Sequence, residues 1–289
     1  MKLALGGVQF GLAYGVSNTS GQVPRAAVRE IVGLARQAGV DTIDTAIAYG
    51  DSEACLGEVG IGDFRVVTKL PPIPPDIVDV EAWVSDEIKG SLDRLGVARL
   101  YGLLLHRADQ LFGKQGLALV TALQRARQDG LVAKVGVSIY DPEQLAAITS
   151  VCRPDIVQAP LNLLDRRLET SGWLQRLHDF GIEVHTRSAF LQGLLLMNKA
   201  AMPRRFDRWC AMWDAWQAWL DAHGVSATRA CLQYPLSLHQ VDRVIVGVSS
   251  TAEFQMLLED AAVAAVPTDL PNLACTDPDL INPSNWNQP

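Results

Sequence analysis

An eightfold alternation limits what this 289-residue chain can fold into more than any other feature. Short, β-rich apolar runs occur at 3–8 (LALGGV), 42–46 (TIDTA), 65–70 (RVVTKL), 100–106 (LYGLLLH), 134–139 (KVGVSI), 156–161 (IVQAPL), 183–188 (EVHTRS) and 243–248 (RVIVGV). Stretches of helical period separate them, near 24–38, 51–58, 79–95, 115–129, 142–150, 170–180, 209–223 and 251–262. Asp141 and Ser250 stand where caps belong, and Gly39, Gly96, Gly130, Gly181 and Gly224 stand where five of the helices should stop. Continuously apolar strands are buried on both faces, which is the mark of a parallel sheet covered by helices. Eight such βα units predict an α/β fold, a (β/α)8 TIM barrel. An open doubly wound sheet is the alternative, but no GxGxxG follows the first strand to house its nucleotide site. With no linker or shift in composition, residues 1–289 read as a single domain. Segments 9–23, 189–208 and 266–289 exceed what the scaffold needs. They are expected to build a site at the C-terminal face of the strands, with the tail over or near it.

Charge and cysteines narrow the function classes. Lysine and arginine number 25 against 32 aspartates and glutamates, for a net charge of −7. A field of that sign repels phosphate backbones and anionic lipid, which argues against nucleic-acid and membrane partners. No window approaches the ~18 uninterrupted apolar residues of a membrane helix, and MKLALGGVQFG is too short for a signal-peptide core. Cys55, Cys152, Cys210, Cys231 and Cys275 form an odd, scattered set without CxxC spacing. They predict buried thiols in a reducing, cytoplasmic setting, with neither a disulfide framework nor a metal site.

In a barrel of this kind the site forms at the C-terminal ends of the strands. Asp44 closes the second predicted strand, Lys69 the third and His106 the fourth, and Tyr49 follows Asp44 by five residues in TAIAYGDS. Taken singly, each has an ordinary structural explanation: a capping Asp, a surface Lys, a core His. Four such groups on three adjacent strand ends together mark a candidate catalytic group.

These residues also carry a resemblance. The stretch GVDTIDTAIAYGDSEACLG, followed by VVTKL, LYGLLLH, GVS at 136–138, VQAPLN at 157–162, LQGLLL at 191–196 and VIVGVSS at 244–250, resembles the aldo-keto reductase family in order over nearly the whole chain. The resemblance implies NAD(P)H-dependent reduction of an aldehyde, ketone or sugar carbonyl, with Tyr49 as the proton donor. A phenol holds its proton to about pH 10, and an adjacent ammonium eases its release. The resemblance implies that Lys69 supplies that charge, that Asp44 holds Lys69, and that His106 orients the carbonyl oxygen. A small-molecule carbonyl is the implied partner, and NADP(H) the implied cofactor, with NAD(H) the alternative.

The implied cofactor contacts run around the barrel mouth. Ser138 and Gln158 match the family's residues for the nicotinamide carboxamide, but Ile139 stands where the family usually has Asn. Arg187 replaces the aromatic residue that stacks on the nicotinamide; it is expected either to stack and favour the reduced cofactor or to grip an anionic substrate. Ser188, Phe190, Gln192 and Gly193 match the loop that meets the pyrophosphate. Gly247, Ser249, Ser250 and Glu253 follow the eighth strand, where the 2′-phosphate is discriminated; hydroxyls bind such a phosphate and Glu253 repels it.

Other features have blander readings. Trp209, Trp213 and Trp216 in FDRWCAMWDAWQAWL have helical spacing and read as a stripe packed on the barrel. His178, His185 and His223 read as structural. Trp286 is a candidate cap over the substrate pocket, and Arg204 and Arg205 are placed either on cofactor phosphates or in water. Two other functions remain open: a nucleotide-binding regulatory subunit with weak catalysis, and a different barrel enzyme using Lys69 as a Schiff base or Asp44 and His106 as metal ligands.

Overall fold

A computed structural model of the chain describes residues 1–263 and 270–286. Eight strands, β1 (Leu3–Gly6), β2 (Thr42–Asp44), β3 (Arg65–Leu70), β4 (Leu100–Leu105), β5 (Val132–Ser138), β6 (Ile156–Pro160), β7 (Glu183–Arg187) and β8 (Arg243–Gly247), pair in sequence order into a closed barrel. Every pairing is parallel, and β8 closes on β1 with Gly6 opposite Gly247. The (β/α)8 TIM barrel expected from the alternation is the observed fold. Each of the eight predicted runs holds one strand, trimmed by one or two residues at its C-terminal end in all but β3 and extended at the start of β5.

Side chains alternate in and out along a strand, so the barrel interior is built in layers. Its middle layer includes Val67, Leu104 and Ile156, a small apolar cluster set apart from the larger core between barrel and helices. Two residues further along the same strands come Lys69, His106 and Gln158. The alternation that buries the middle layer therefore lifts these polar side chains to the mouth.

Below the middle layer the interior is charged. Glu183 accepts from the Tyr101 hydroxyl at 2.7 Å and from Lys134 Nζ at 2.5 Å, with His185 Nε2 at 3.3 Å. Burial alone would raise this carboxyl, but the hydrogen bonds from His185, Lys134 and Tyr101 and the charge of Lys134 outweigh it and bring its pKa from 4.5 to about 2. A carboxylate held below its unfolded value stabilises the native state fully above pH 4.5 and loses that contribution as pH falls through about 2. Glu183→Gln is therefore expected to lower unfolding free energy by roughly 3 kcal/mol near neutrality. In urea titrations the gap from wild type should close between pH 4.5 and 2; a gap independent of pH would refute this account.

The helical layer departs from the sequence reading in one place. The helix preceding β8 on the barrel surface is Ala227–Ser237, packed against the final barrel helix Thr251–Ala262, and it was not expected. Pro235 in its last turn removes one amide bond to the carbonyl four residues back, and only two helical residues follow it. The predicted helix at 209–223 exists as Cys210–His223, an addition outside the eight-unit pattern. Its buried stripe is Trp213, Trp216 and Trp219; Trp209 lies before the helix and is half-buried, so the expected stripe is shifted by one member. Gly39, Gly96, Gly130, Gly181 and Gly224 all have positive φ at helix ends, as expected.

The cysteines are all free. Only Cys55 and Cys231 are buried, while Cys152 and Cys275 are half-buried and Cys210 is exposed, which corrects the expectation of five buried thiols. No helix among the described residues is long and apolar enough to cross a membrane. Of the tail, residues 266–269 and 287–289 lie outside the described residues. The remainder runs beside the loops that follow β6 and β7: Cys275 N donates to Leu164 O at 2.9 Å, and Arg208 binds both Asp277 and Asp279. Trp286 packs edge-on against Phe206 and does not line the cleft, so it anchors the tail and caps no pocket. Arg204 and Arg205 face water.

Candidate active site

The end of each strand contributes one inward position at the mouth. In barrel order these are Gly6, Asp44, Lys69 and His106, then Ser138, Gln158, Arg187 and Gly247. A cleft open to solvent lies above them. Asp44, Tyr49, His106, Ser138, Gln158 and Arg187 line it, as do Ser188, Phe190, Gln192, Gly193, Gly247, Ser249 and Glu253. Lys69 lies just beneath, only 1% exposed. Of the predicted site residues, Ser250 alone stands apart from both cleft and catalytic group. Its Oγ accepts from Glu253 N at 3.1 Å and caps the helix Thr251–Ala262.

Three buried hydrogen bonds organise the group. Lys69 Nζ donates to Asp44 Oδ1 at 2.6 Å and to Thr45 O at 2.8 Å, and Gln158 Nε2 donates to Asp44 Oδ2 at 2.7 Å. Asp44 thus spends one oxygen on a cation and the other on an amide, which holds both in one orientation. The Lys69 ammonium lies 5.1 Å from the centroid of the Tyr49 ring and makes no hydrogen bond to its hydroxyl. Tyr49 meets His106 edge-on, with centroids 5.7 Å apart at 84°. Burial, then the charges of Lys69 and Arg187, lower the His106 pKa from 6.5 to about 4, against a smaller opposing pull from Asp44. The imidazole is therefore neutral at physiological pH and has one N–H to donate.

Tyr49 is placed by backbone collision. A Cβ on Gly11 would strike the Tyr49 carbonyl, and one on Gly50 would strike the Gly11 carbonyl. The segment Val8–Gly11 and the Tyr49 loop are thus in direct main-chain contact.

Past β7 the backbone leaves ordinary space. Ser188, Leu191 and Gln192 have φ of 63°, 48° and 55°, followed by Gly193 at 90°. Left-handed conformations at non-glycine residues are strained and persist only where the surroundings hold them. Here Asn162 Nδ2 grips Ser188 O at 3.0 Å, Val16 N donates to Gln192 O at 3.0 Å, and Gln192 Nε2 donates to the Tyr14 hydroxyl at 2.9 Å. Residues 12–22 thereby form a strap over this turn. Asn18 keeps it folded by accepting from the Ser20 and Gly21 amides and donating to the Tyr14 and Gly21 carbonyls.

The cleft suits a dinucleotide. In the groove beside β8 and β1 the Gln9 side chain packs so closely on Gly247 that a Cβ there would collide with it. Gln9 Oε1 in that groove is buried without a hydrogen-bond partner, an acceptor that a bound donor would satisfy. The successive turns at 188–193 are the kind of backbone that gathers amides around a phosphate. Gln9, Tyr14 and Tyr140 line the cleft and were not singled out from the sequence. The unneeded length of 9–23 was their only signal, and for Tyr140 there was none.

The match to the Aldo/keto reductase family extends over residues 2–270. Aflatoxin B1 aldehyde reductase member 2 of Rattus norvegicus is 28% identical over 171 residues, which span 54% of this chain but only 46% of that one. Its namesake from Homo sapiens is 26% identical over 278 residues, 81% of this chain and 75% of the other. Among solved structures, an aldo-keto reductase from Bacillus halodurans in its holo form superposes with a TM-score of 0.72 at 19% identity, covering 92% of this chain and 88% of that one. At that identity the superposition speaks for the barrel, and the family assignment rests on the match from residue 2 to 270: the chain belongs to the aldo/keto reductase family.

Proposed function

We propose that this chain reduces an aldehyde, ketone or sugar carbonyl to the alcohol with a reduced nicotinamide dinucleotide. The observation that carries the reading is the meeting of Tyr49, His106 and the Asp44–Lys69 pair in a cleft that runs on past Arg187 and Gly193 to Ser249 and Glu253. When bound, the reduced nicotinamide supplies hydride to the carbonyl carbon. Tyr49 gives its proton to the carbonyl oxygen as negative charge develops there, within the ~3 Å that proton transfer needs. His106, neutral at working pH, donates its N–H to the same oxygen and fixes its direction. Lys69 supplies positive charge under the Tyr49 ring, so the phenolate left behind is stabilised. Asp44 holds Lys69 at 2.6 Å and, through Gln158, ties the amide to the same frame. Ser138 and Gln158 border the mouth where the carboxamide would lie, Ser188, Phe190, Gln192 and Gly193 the pyrophosphate, and Gly247 and Ser249 the adenosine end.

Which dinucleotide is used turns on Glu253. Its Oε2 accepts from Ser249 N at 2.7 Å, its side chain lines the far end of the cleft, and Arg187 is the only basic residue lining the cleft among the described residues. Glu30, bonded to Thr251 at 3.1 Å, adds a second carboxylate nearby. A carboxylate accepts from the ribose diol of NAD(H) and repels the 2′-phosphate of NADP(H). This favours NAD(H), the reverse of the order the resemblance implies.

Following dihydronicotinamide absorbance against a panel of aldehydes, ketones and sugars tests both points. Turnover with at least one carbonyl class is expected, with kcat/KM for NADH above that for NADPH by about fivefold or more. Tight dinucleotide binding with no turnover across the panel would instead favour the regulatory-subunit reading.

A further inference from the structure

Arg187 is the one uncompensated charge at the catalytic end of the cleft. Lys69, on the facing strand, is neutralised by Asp44 at 2.6 Å. Glu253 lies at the other end, bound to a backbone amide. Among the described residues, Arg187 has no carboxylate within ion-pair reach. Its Nη2 donates to Ile139 O at 3.0 Å, its Nη1 lies 3.4 Å from Ser188 Oγ, and its guanidinium carbon sits 4.4 Å from the centre of the Tyr140 ring. Three uncharged partners fix the cation without cancelling its charge. The strand that carries it adjoins β8, and Arg187 lines the same cleft as Asp44, Tyr49 and His106.

We propose that Arg187 makes the cleft discriminate between the two oxidation states of the dinucleotide, holding the neutral dihydronicotinamide more tightly than the positively charged oxidised ring. The inference rests on the cleft being the dinucleotide site. Loss of hydride leaves the ring with a unit positive charge while the phosphates keep theirs, so the difference between the two forms is a single charge beside Arg187. In a partly desolvated cleft a like charge is disfavoured far more than in water. The same field acts on His106, whose protonation Lys69 and Arg187 both oppose. An enzyme built this way releases the oxidised cofactor readily after each turnover and runs poorly as an alcohol dehydrogenase.

The test needs no carbonyl substrate. Dissociation constants for the oxidised and reduced forms of NAD and NADP are measured by calorimetry on the wild type, Arg187→Lys and Arg187→Gln, with thermal melts to verify folding. In the wild type the oxidised form of the preferred dinucleotide should bind at least about tenfold more weakly than the reduced form. Arg187→Lys should keep most of that ratio, and Arg187→Gln should bring it to within about threefold of unity, chiefly by tightening the oxidised form. A wild-type ratio near one, or a ratio unchanged in Arg187→Gln, would overturn the assignment to Arg187 while leaving the dinucleotide site intact. Failure of either oxidation state to bind the wild type would instead remove the site itself, and this inference with it.

Discussion

Tyr49→Phe is expected to lower kcat by about 10²–10⁴-fold, the range for loss of a positioned general acid, while the dinucleotide affinity stays within about threefold. The substitution isolates the hydroxyl unusually well. The ring keeps its edge-on contact with His106 at 5.7 Å and its place above the Lys69 ammonium at 5.1 Å. Its position is set by the main chain, through the Gly11–Tyr49 contact, and not by the phenol oxygen. Folding should therefore be untouched, with a thermal midpoint within about 2 °C of wild type. Single-turnover mixing would separate binding from chemistry. A variant retaining more than about a tenth of wild-type turnover, a barrier change under ~1.4 kcal/mol, would exclude Tyr49 as the acid.

Lys69→Met is expected to strike both stability and rate. Lys69 is 1% exposed and Asp44 4%, so removing the ammonium strands a buried carboxylate, a change that typically lowers stability by about 3–5 kcal/mol. Turnover should fall by about 10²-fold or more, because the developing phenolate loses its nearest positive charge. The double variant with Asp44→Asn should recover much of the stability, since no uncompensated charge remains, but none of the rate. A third readout separates an electrostatic from a merely structural role. The Lys69 charge helps hold the His106 pKa near 4; without it the imidazole should protonate at higher pH, moving the acid limb of the pH–rate profile upward. Recovery of rate in the double variant, or an acid limb that does not move, would show that Lys69 only fills space.

Much of this architecture is legible in the sequence, for identifiable reasons. Strands buried on both faces are nearly uniformly apolar, so LALGGV or RVIVGV could hardly be read otherwise, and their count sets the barrel. The candidate catalytic group is legible because a two-residue period links Val67, Leu104 and Ile156, which had to be apolar, to Lys69, His106 and Gln158, which did not. What escaped depends on contacts between distant segments. Ser250 fits two sequence readings, a helix cap and a phosphate-binding hydroxyl, and the bond from Glu253 N supports the cap. Ala227–Ser237 was not among the stretches read as helical, although Ser226 caps it through Arg229 N. The part played by residues 12–22 becomes visible only once Gln192, some 170 residues away, lies under Tyr14 and Val16.

The backbone junction between Val8–Gly11 and the Tyr49 loop ties two parts of the molecule together mechanically. The strap begins where that segment ends, so a single length of chain touches both the strained turn, through Tyr14 and Val16, and the main chain at Tyr49, through Gly11. Two walls of the cleft that are remote in sequence therefore share one support.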